Sequence, residues 1–427
     1  MPAPRLSQVT SSLSGYDPDA LSVAQAQHII RACVAPVAAV EKLALRSALD
    51  RVLGEDLISP IDVPPHDNSA MDGYALNGAD LQPDRPAALK IVATALAGGG
   101  FGGTLGAGEC VRIMTGAPMP SGCDTVVPQE LTQAEGAMVT IAPGAVKAGD
   151  NRRRRGEDLQ AGKAALRRGK LLRPADLGLI ASLGIAEVPV VRRLRVAFFS
   201  TGDELRSIGE PLDPGCIYDS NRYTIYGMLK RLGCDIIDMG VVKDDPAALE
   251  AAFRSACENA DAVITSGGVS AGDADYTRRM LAQLGEVAFW KIAIRPGRPM
   301  AFGRIASGGK SAFLFGLPGN PVAVMVAFYF FARDALLRMM GAQDAPLLPL
   351  RAISPVPIRK KPGRTEYQRG ILSADANGQL TVRITGSQGS GILRSMSEAN
   401  CMVVLRHEQG TVNAGEAVEV VPFEGLL

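Results

Sequence analysis

The stretch "SGGVSAGDADYT", Ser266 to Thr277, follows the apolar run "DAVIT" and precedes the helical pattern "RRMLAQLG". A plain connector does not need three glycines, two serines and two aspartates. Gly267, Gly268 and Gly272 let the backbone approach a ligand closely and turn N–H groups toward an anion. Ser266 and Ser270 add hydroxyl donors. Asp275 stands at the start of the helical pattern, where backbone donors keep a carboxylate ionised. Asp273 reads as a helix cap. The stretch therefore predicts a strand, an anion-binding loop and a helix.

Outward from it, the rhythm repeats. "RVAFFS", "CDIIDMGVV", "DAVITSGG", "VAFWKIAI" and "SAFLFGLP" are strand-like. "SNRYTIYGMLKRLG", "DDPAALEAAFRSACENA" and "NPVAVMVAFYFFARDALLRMMG" are helical. Strands alternating with helices at this spacing predict a parallel, doubly wound α/β domain over 195–343. Ligands of such sheets bind at the carboxyl ends of the strands. Four ends stand out: "TGDEL", "KDDP", "SGGVSAGDADYT" and "LPGNP". They bring Glu204, Asp244 and Asp275 toward one crevice, and carboxylates beside an anion loop suggest a divalent cation. "WKIAIRPGRPMAFG" adds Lys291, Arg295 and Arg298 around a rigid proline-glycine turn, a set suited to an oxyanion. Pro321 sits near the first position of the last helix, whose free N–H groups are a second anion site in principle.

The rest of the 427-residue chain is organised differently. "DALSVAQAQHIIRACVAPV" has helical spacing, with Asp19 or Ser22 as cap, and "EKLALRSALDRVLGEDL" is expected to continue it. Short strands with glycine-rich breaks predict a β-rich domain over 61–147. "RPADLGLIASLG" is expected to pack back on the first helices. The first domain is thus discontinuous and helical, 1–60 and 148–194. From 344 to 427 five short strands predict a small β-barrel. The fold class is a multidomain α/β protein.

Composition removes several functions. There are 45 basic and 44 acidic residues, a net charge of +1, so no basic excess marks a nucleic-acid binder. Seven cysteines, none in a CxxC pair, point to free thiols and a cytoplasmic protein. No histidine adjoins a GxSxG motif, which disfavours a hydrolase of that type. The longest apolar run, Val322 to Ala332, is too short to cross a bilayer. "NRRRRGED" alone is a solvated charge run, and "DNSAMDGYA" a polar stretch that a plain turn explains badly.

Together, "PPHDNSAMDGYAL", "IMTGAPMPSGCDTVV", "NRRRRGEDL", "FFSTGDEL", "YDSNRY", "SGGVSAGDADYT", "KIAIRPGRPMAFG", "LPGNPVAVM", "QRG" and "TGSQGS" resemble, in order, the MoeA/gephyrin E-domain family. These are the molybdopterin molybdenumtransferases. The resemblance implies the four-part architecture with a MogA-like α/β domain, and an elongated homodimer whose active sites are shared between subunits. It implies that adenylylated molybdopterin and molybdate are the substrates, that AMP is released, and that magnesium takes part. Molybdopterin adenylyltransferase and molybdoenzymes are the further partners it implies. Asp67, Thr115, Asp158, Glu204, Asp244 and Asp275 match its functional positions, with Asp275 and Asp244 nearest the metal. Lys291, Arg295, Arg298, Arg369 and Ser390 match its oxyanion pocket, with Pro318 and Pro321 in the wall. Arg295 and Arg298 replace lysines common in the family. Ala323 replaces a frequent serine and Ser387 a common histidine. Two other readings are an enzyme like the adenylyltransferases, which need no "DNSAMDGYA" or "RRRGED" domain, and a gephyrin-like protein-binding scaffold.

Overall fold

The structure, a computed structural model, describes residues 4–37, 39–268, 274–343 and 347–425, with 274–276 as backbone only. The central sheet has six strands. In chain order they are β1 (Arg195–Thr201), β2 (Asp235–Val242), β3 (Ala262–Ser266), β4 (Gly285–Lys291), β5 (Pro299–Ser307) and β6 (Lys310–Leu317). Their order across the sheet is β2-β1-β3-β6-β5-β4. The first four run parallel; β5 pairs antiparallel with both β6 and β4. The doubly wound core is as expected, but its edge is mixed. The strand β5 escapes a sequence reading because it begins at Pro299, inside what looks like a basic turn.

The helices form where caps and patterning agree. Ser220–Arg231 starts on Asp219, whose side chain accepts from the Arg222 N–H, and ends before Gly233 at φ +75°. Pro246–Asn259 starts on Asp245 with proline in its first turn. Pro321–Ala327 runs through a π-turn, Phe328–Ala332, into Arg333–Met339. These helices cover the sheet. Trp290, Phe302 and Phe315 form a ring cluster between them, at most 1% exposed. Burying each such side chain is worth about 1.5–3 kcal/mol.

At the N-terminus Ser22, rather than Asp19, caps the helix Val23–Cys33. The expected helical continuation is corrected: Val40–Ala44 is a strand, paired antiparallel with Glu187–Val191, and Leu45–Ala48 is a short 3-10 turn. Its apolar residues do recur, but the backbone partner 143 to 151 residues further along the chain outweighs local propensity. Leu57–Ile58 pairs with Ala164–Leu166, and the helix Pro174–Ser182 packs its Ile180 against Ala48, Leu53 and Leu166. The chain therefore leaves this unit and returns to it. Between lies a six-stranded sheet, Thr125–Pro128, Gly73–Leu76, Glu109–Ile113, Ala87–Ala95, Met138–Ile141 and Thr132–Glu135 in spatial order.

The C-terminal region is a closed barrel. Thr365–Ala374, Leu380–Ile384, Leu350–Ile353, Ala417–Pro422 and Cys401–Leu405 follow one another around it, and the last pairs back with the first. A short strand from the α/β domain, Ile294–Arg295, adds to it in parallel, with Ile294 opposite Thr365 and Arg295 opposite Glu366.

Candidate active site

A crevice of about 740 Å³ opens at the carboxyl ends of β1, β3 and β6 and runs to the rim of the barrel. The sheet topology dictates its position. β1 and β3 are adjacent, so "TGDEL" and "SGG" leave the sheet side by side. Gly267 and Gly268 have φ of +94° and +68°, a backbone other residues rarely adopt. A Cβ on Gly267 would lie 2.5 Å from the Thr201 carbonyl oxygen, so the two loops touch because this residue has no side chain.

The crevice gathers Glu204, Asp244, Gly267, Gly268, Arg295, Arg298, Pro318, Pro321 and Ser390. Glu204 and Asp244 are exposed on one side, and the Thr201 hydroxyl donates to Asp244 at 3.5 Å. Arg295 and Arg298 border the other side. They belong to the connection between β4 and β5, whose middle is held in the barrel's ladder. The crevice thus has a carboxylate wall and a guanidinium wall, with glycine backbone between them. Arg364, on the barrel, joins the guanidinium wall and escaped the sequence reading.

Other expected residues lie elsewhere. Lys291 is not among the crevice's lining residues; its ammonium meets the Asp19 carboxylate at 2.7 Å. Leu21 and Pro18 bind the Lys291 backbone, which brings Asp19 there, and Arg298 donates to the Asp19 carbonyl at 3.2 Å. The hydrogen bond and charge of Lys291, with the charges of Arg278 and Arg298, hold the Asp19 carboxyl below the ordinary carboxylate range. Arg369 has no exposed surface. Its guanidinium donates to Ser395 Oγ at 2.9 Å and to the carbonyls of Gln388, Ser387 and Gly389 at 3.2, 3.3 and 2.9 Å. Burial pushes it down to about 10. It sits beneath the loop that carries Ser390, and the Ser390 carbonyl accepts from the Val322 amide at 3.0 Å. Ser270 and Gly272 lie outside the described residues, as do Asp273 and the side chain of Asp275.

Asp67, Thr115 and Asp158 do not line the crevice of their own chain. They belong to the neighbourhood of the β-rich sheet. Asp67 accepts from the Arg155 amide at 2.8 Å and faces Arg152 at 3.6 Å. Thr115 donates through its amide and hydroxyl to Asp72, both at 2.7 Å, and these bonds lower the Asp72 carboxyl. The Asp158 amide donates to the Val63 carbonyl at 3.0 Å. The arginine run is partly neutralised: Arg153 pairs with Glu157 and Arg155 with Asp62.

The sequence reading also gave no role of their own to Asp219 and Asn221, quoted above within "YDSNRY". Both line the crevice. Asn221 donates to Ser266 Oγ at 2.8 Å and to the Gly319 carbonyl at 2.6 Å, tying the Ser220–Arg231 helix to two of the ligand loops.

A doubly wound α/β domain whose crevice has an acidic and a cationic wall, flanked by a β-rich unit and a barrel, defines a multidomain α/β protein with its candidate site where that domain meets the barrel. Three family models match the chain. "MoeA N-terminal region (domain I and II)" matches residues 21–184, "Probable molybdopterin binding domain" 197–338, and "MoeA C-terminal region (domain IV)" 351–423. A molybdopterin molybdenumtransferase of Haemophilus influenzae is 44% identical over 389 residues, 91% of this chain and 95% of the relative. One from a Nostoc species is 37% identical over 382 residues, 88% and 87% of the two chains. The solved structure of a molybdopterin biosynthesis moeA protein from Pyrococcus horikoshii matches with a TM-score of 0.79 at 28% identity, over 95% of this chain and all of that one. The chain belongs to the MoeA family, the molybdopterin molybdenumtransferases of molybdenum cofactor biosynthesis.

Proposed function

We propose that this protein takes adenylylated molybdopterin and molybdate, splits off AMP and inserts molybdenum into the dithiolene to give molybdenum cofactor. The observation that carries the reading is the two-walled crevice. Cleaving a linkage between phosphates demands that developing negative charge be met by fixed donors and cations. Gly268 offers a backbone N–H on the glycine loop, the Gly267 N–H being bonded to the Leu317 carbonyl at 3.1 Å, and Arg295, Arg298 and Arg364 supply cations on the opposite side. Molybdate, a dianion, suits the same cationic side, away from Glu204 and Asp244.

Asp244 and Asp275, the expected pair, together with Glu204 are hard oxygen donors of the kind Mg²⁺ takes, and they would hold it. Mg²⁺ keeps several waters and is held by one or two carboxylates together with substrate phosphates. When bound, the ion supplies charge neutralisation at the phosphates. We also infer a homodimer in which Asp67, Thr115 and Asp158 of one copy face the crevice of the other, since they do not line their own. No described helix is long and apolar enough to cross a membrane.

The test is direct. Purified protein is incubated with adenylylated molybdopterin, molybdate and magnesium, and AMP and molybdenum cofactor are followed. Formation of neither product overturns the reading.

A further inference from the structure

Five buried side-chain polar atoms lack a hydrogen-bond partner among the described residues, and two belong to neighbours on the crevice wall: Asp219 Oδ2 and Asn221 Oδ1. Asp219 is 3% exposed and Asn221 8%. Their other polar atoms are engaged. Asp219 Oδ1 accepts from the Arg222 amide at 3.1 Å, and the Asn221 amide group donates to Ser266 and Gly319. A buried acceptor without a donor is costly, and a carboxylate oxygen more so than an amide. Two such atoms at one end of a ligand crevice call for a ligand that brings donors.

The chemistry of the crevice narrows the choice. An anion is excluded, because both orphaned atoms accept. Adenine offers a donor beside an acceptor on its pairing edge, so it satisfies one atom and opposes the other. A 2-amino-4-oxopyrimidine edge offers two adjacent donors, the exocyclic amine and the ring N–H. Pterins and guanine both carry it. Beside these atoms, Ile217 and Tyr218 also line the crevice with 56% and 47% of their surface exposed, giving apolar area for a flat ring. Gly267 adjoins this end, because Asn221 bonds the preceding Ser266, and the arginines lie across the crevice, where a phosphate would sit.

The geometry points to Asp219, supported by Asn221, as the residue that recognises the pyrimidine edge of the pterin. This rests on the proposed function for the identity of the ligand, and it adds the end of the crevice at which the pterin ring lies. Asp219 is a specificity-determining residue, not an acid or base of the reaction. The pterin pairs the second Asp219 oxygen on binding.

Asp219→Asn is the informative variant. Asparagine caps a helix as well as aspartate, so the Arg222 bond survives, while the second oxygen becomes a donor that repels the pterin edge. Binding is measured without turnover, by titrating 6-hydroxymethylpterin, its 2-oxo counterpart (a lumazine), guanosine and adenosine. Wild type is expected to favour the pterin over the lumazine by about ten- to hundredfold, the span of one hydrogen bond to a charged group. The variant is expected to lose that preference and to melt no lower than wild type. Equal binding of pterin and lumazine by wild type, or an unchanged preference in the variant, overturns the assignment. So does tighter binding of guanosine than of the pterin, or a lowered melting temperature with unchanged pterin affinity. Pterin discrimination without AMP release would instead sink the proposed reaction and leave this site standing.

Discussion

The ammonium of Lys291 and the carboxylate of Asp19 stand 2.7 Å apart, so one cation of the basic loop already carries a counter-ion from the N-terminal segment. An arriving oxyanion that uses Lys291 must compete with it. Asp19→Asn is therefore expected to lower the half-saturating molybdate concentration by roughly two- to fivefold, the span of an exposed ion pair. The gain should shrink as ionic strength rises past a few tenths molar. Acidification has the matching sign. The Asp19 carboxyl is depressed in the folded protein, so the pair persists above its ordinary range and is lost as pH falls through its folded value. An unchanged molybdate dependence in Asp19→Asn would remove Lys291 from the oxyanion site.

Arg369 is expected to behave as a positioning residue. Its guanidinium satisfies one hydroxyl and three carbonyls beneath the Ser387–Gly389 loop. Arg369→Ala leaves those acceptors buried, at a cost of about 2–5 kcal/mol. Lysine does not rescue it, because a single ammonium cannot span the fork. Thermal unfolding and molybdate KM should worsen together. A raised KM at unchanged melting temperature would mean that Arg369 contacts the anion itself.

Gly267→Ala tests the contact between the two ligand loops. At φ +94°, with the Thr201 oxygen 2.5 Å from the new Cβ, the loop must shift. We expect a stability loss of about 1–3 kcal/mol together with loss of AMP release. Wild-type turnover in this variant would show that the loop's path does not matter to the reaction.

Shared sites predict complementation. Asp67→Ala and Asp244→Ala homodimers should each be inactive. After unfolding and refolding as a mixture, half the dimers are mixed and hold one intact site, so about a quarter of wild-type AMP release should return, as two-fold symmetry requires. A monomer by light scattering at micromolar concentration, or no recovery on mixing, sinks the shared site.

Much of this was legible in the chain, for identifiable reasons. The parallel strands are buried on both faces and read as apolar runs, and the barrel strands are short runs between turn signals such as "ANG", where Gly378 takes φ +79°. What escaped depended on distant partners. Val40–Ala44 looks helical until Glu187–Val191 lies beside it. Pro299–Ser307 looks like a loop because its two partner strands lie on either side of it in the chain. The same holds at the site. Glycines and carboxylates announce themselves by type, so Glu204, Asp244, Gly267 and Gly268 could be named. That Arg369 points into its own barrel, that Lys291 meets Asp19, and that Asp219 keeps an unpaired oxygen are facts of packing, and residue type does not carry them.

The parallel pairing of Ile294–Arg295 with the barrel strand has a mechanical consequence. The Ser390–Val322 bond and the stacked ring pairs Phe330–Tyr367 and Tyr329–Phe423 fix the barrel to the α/β domain at further points. A body pinned at several points cannot swing about any one without breaking the others. The gap between the jaws is therefore set during folding rather than by the ligand. A substrate's fit is decided by its own dimensions, and widening the mouth requires peeling a β-ladder.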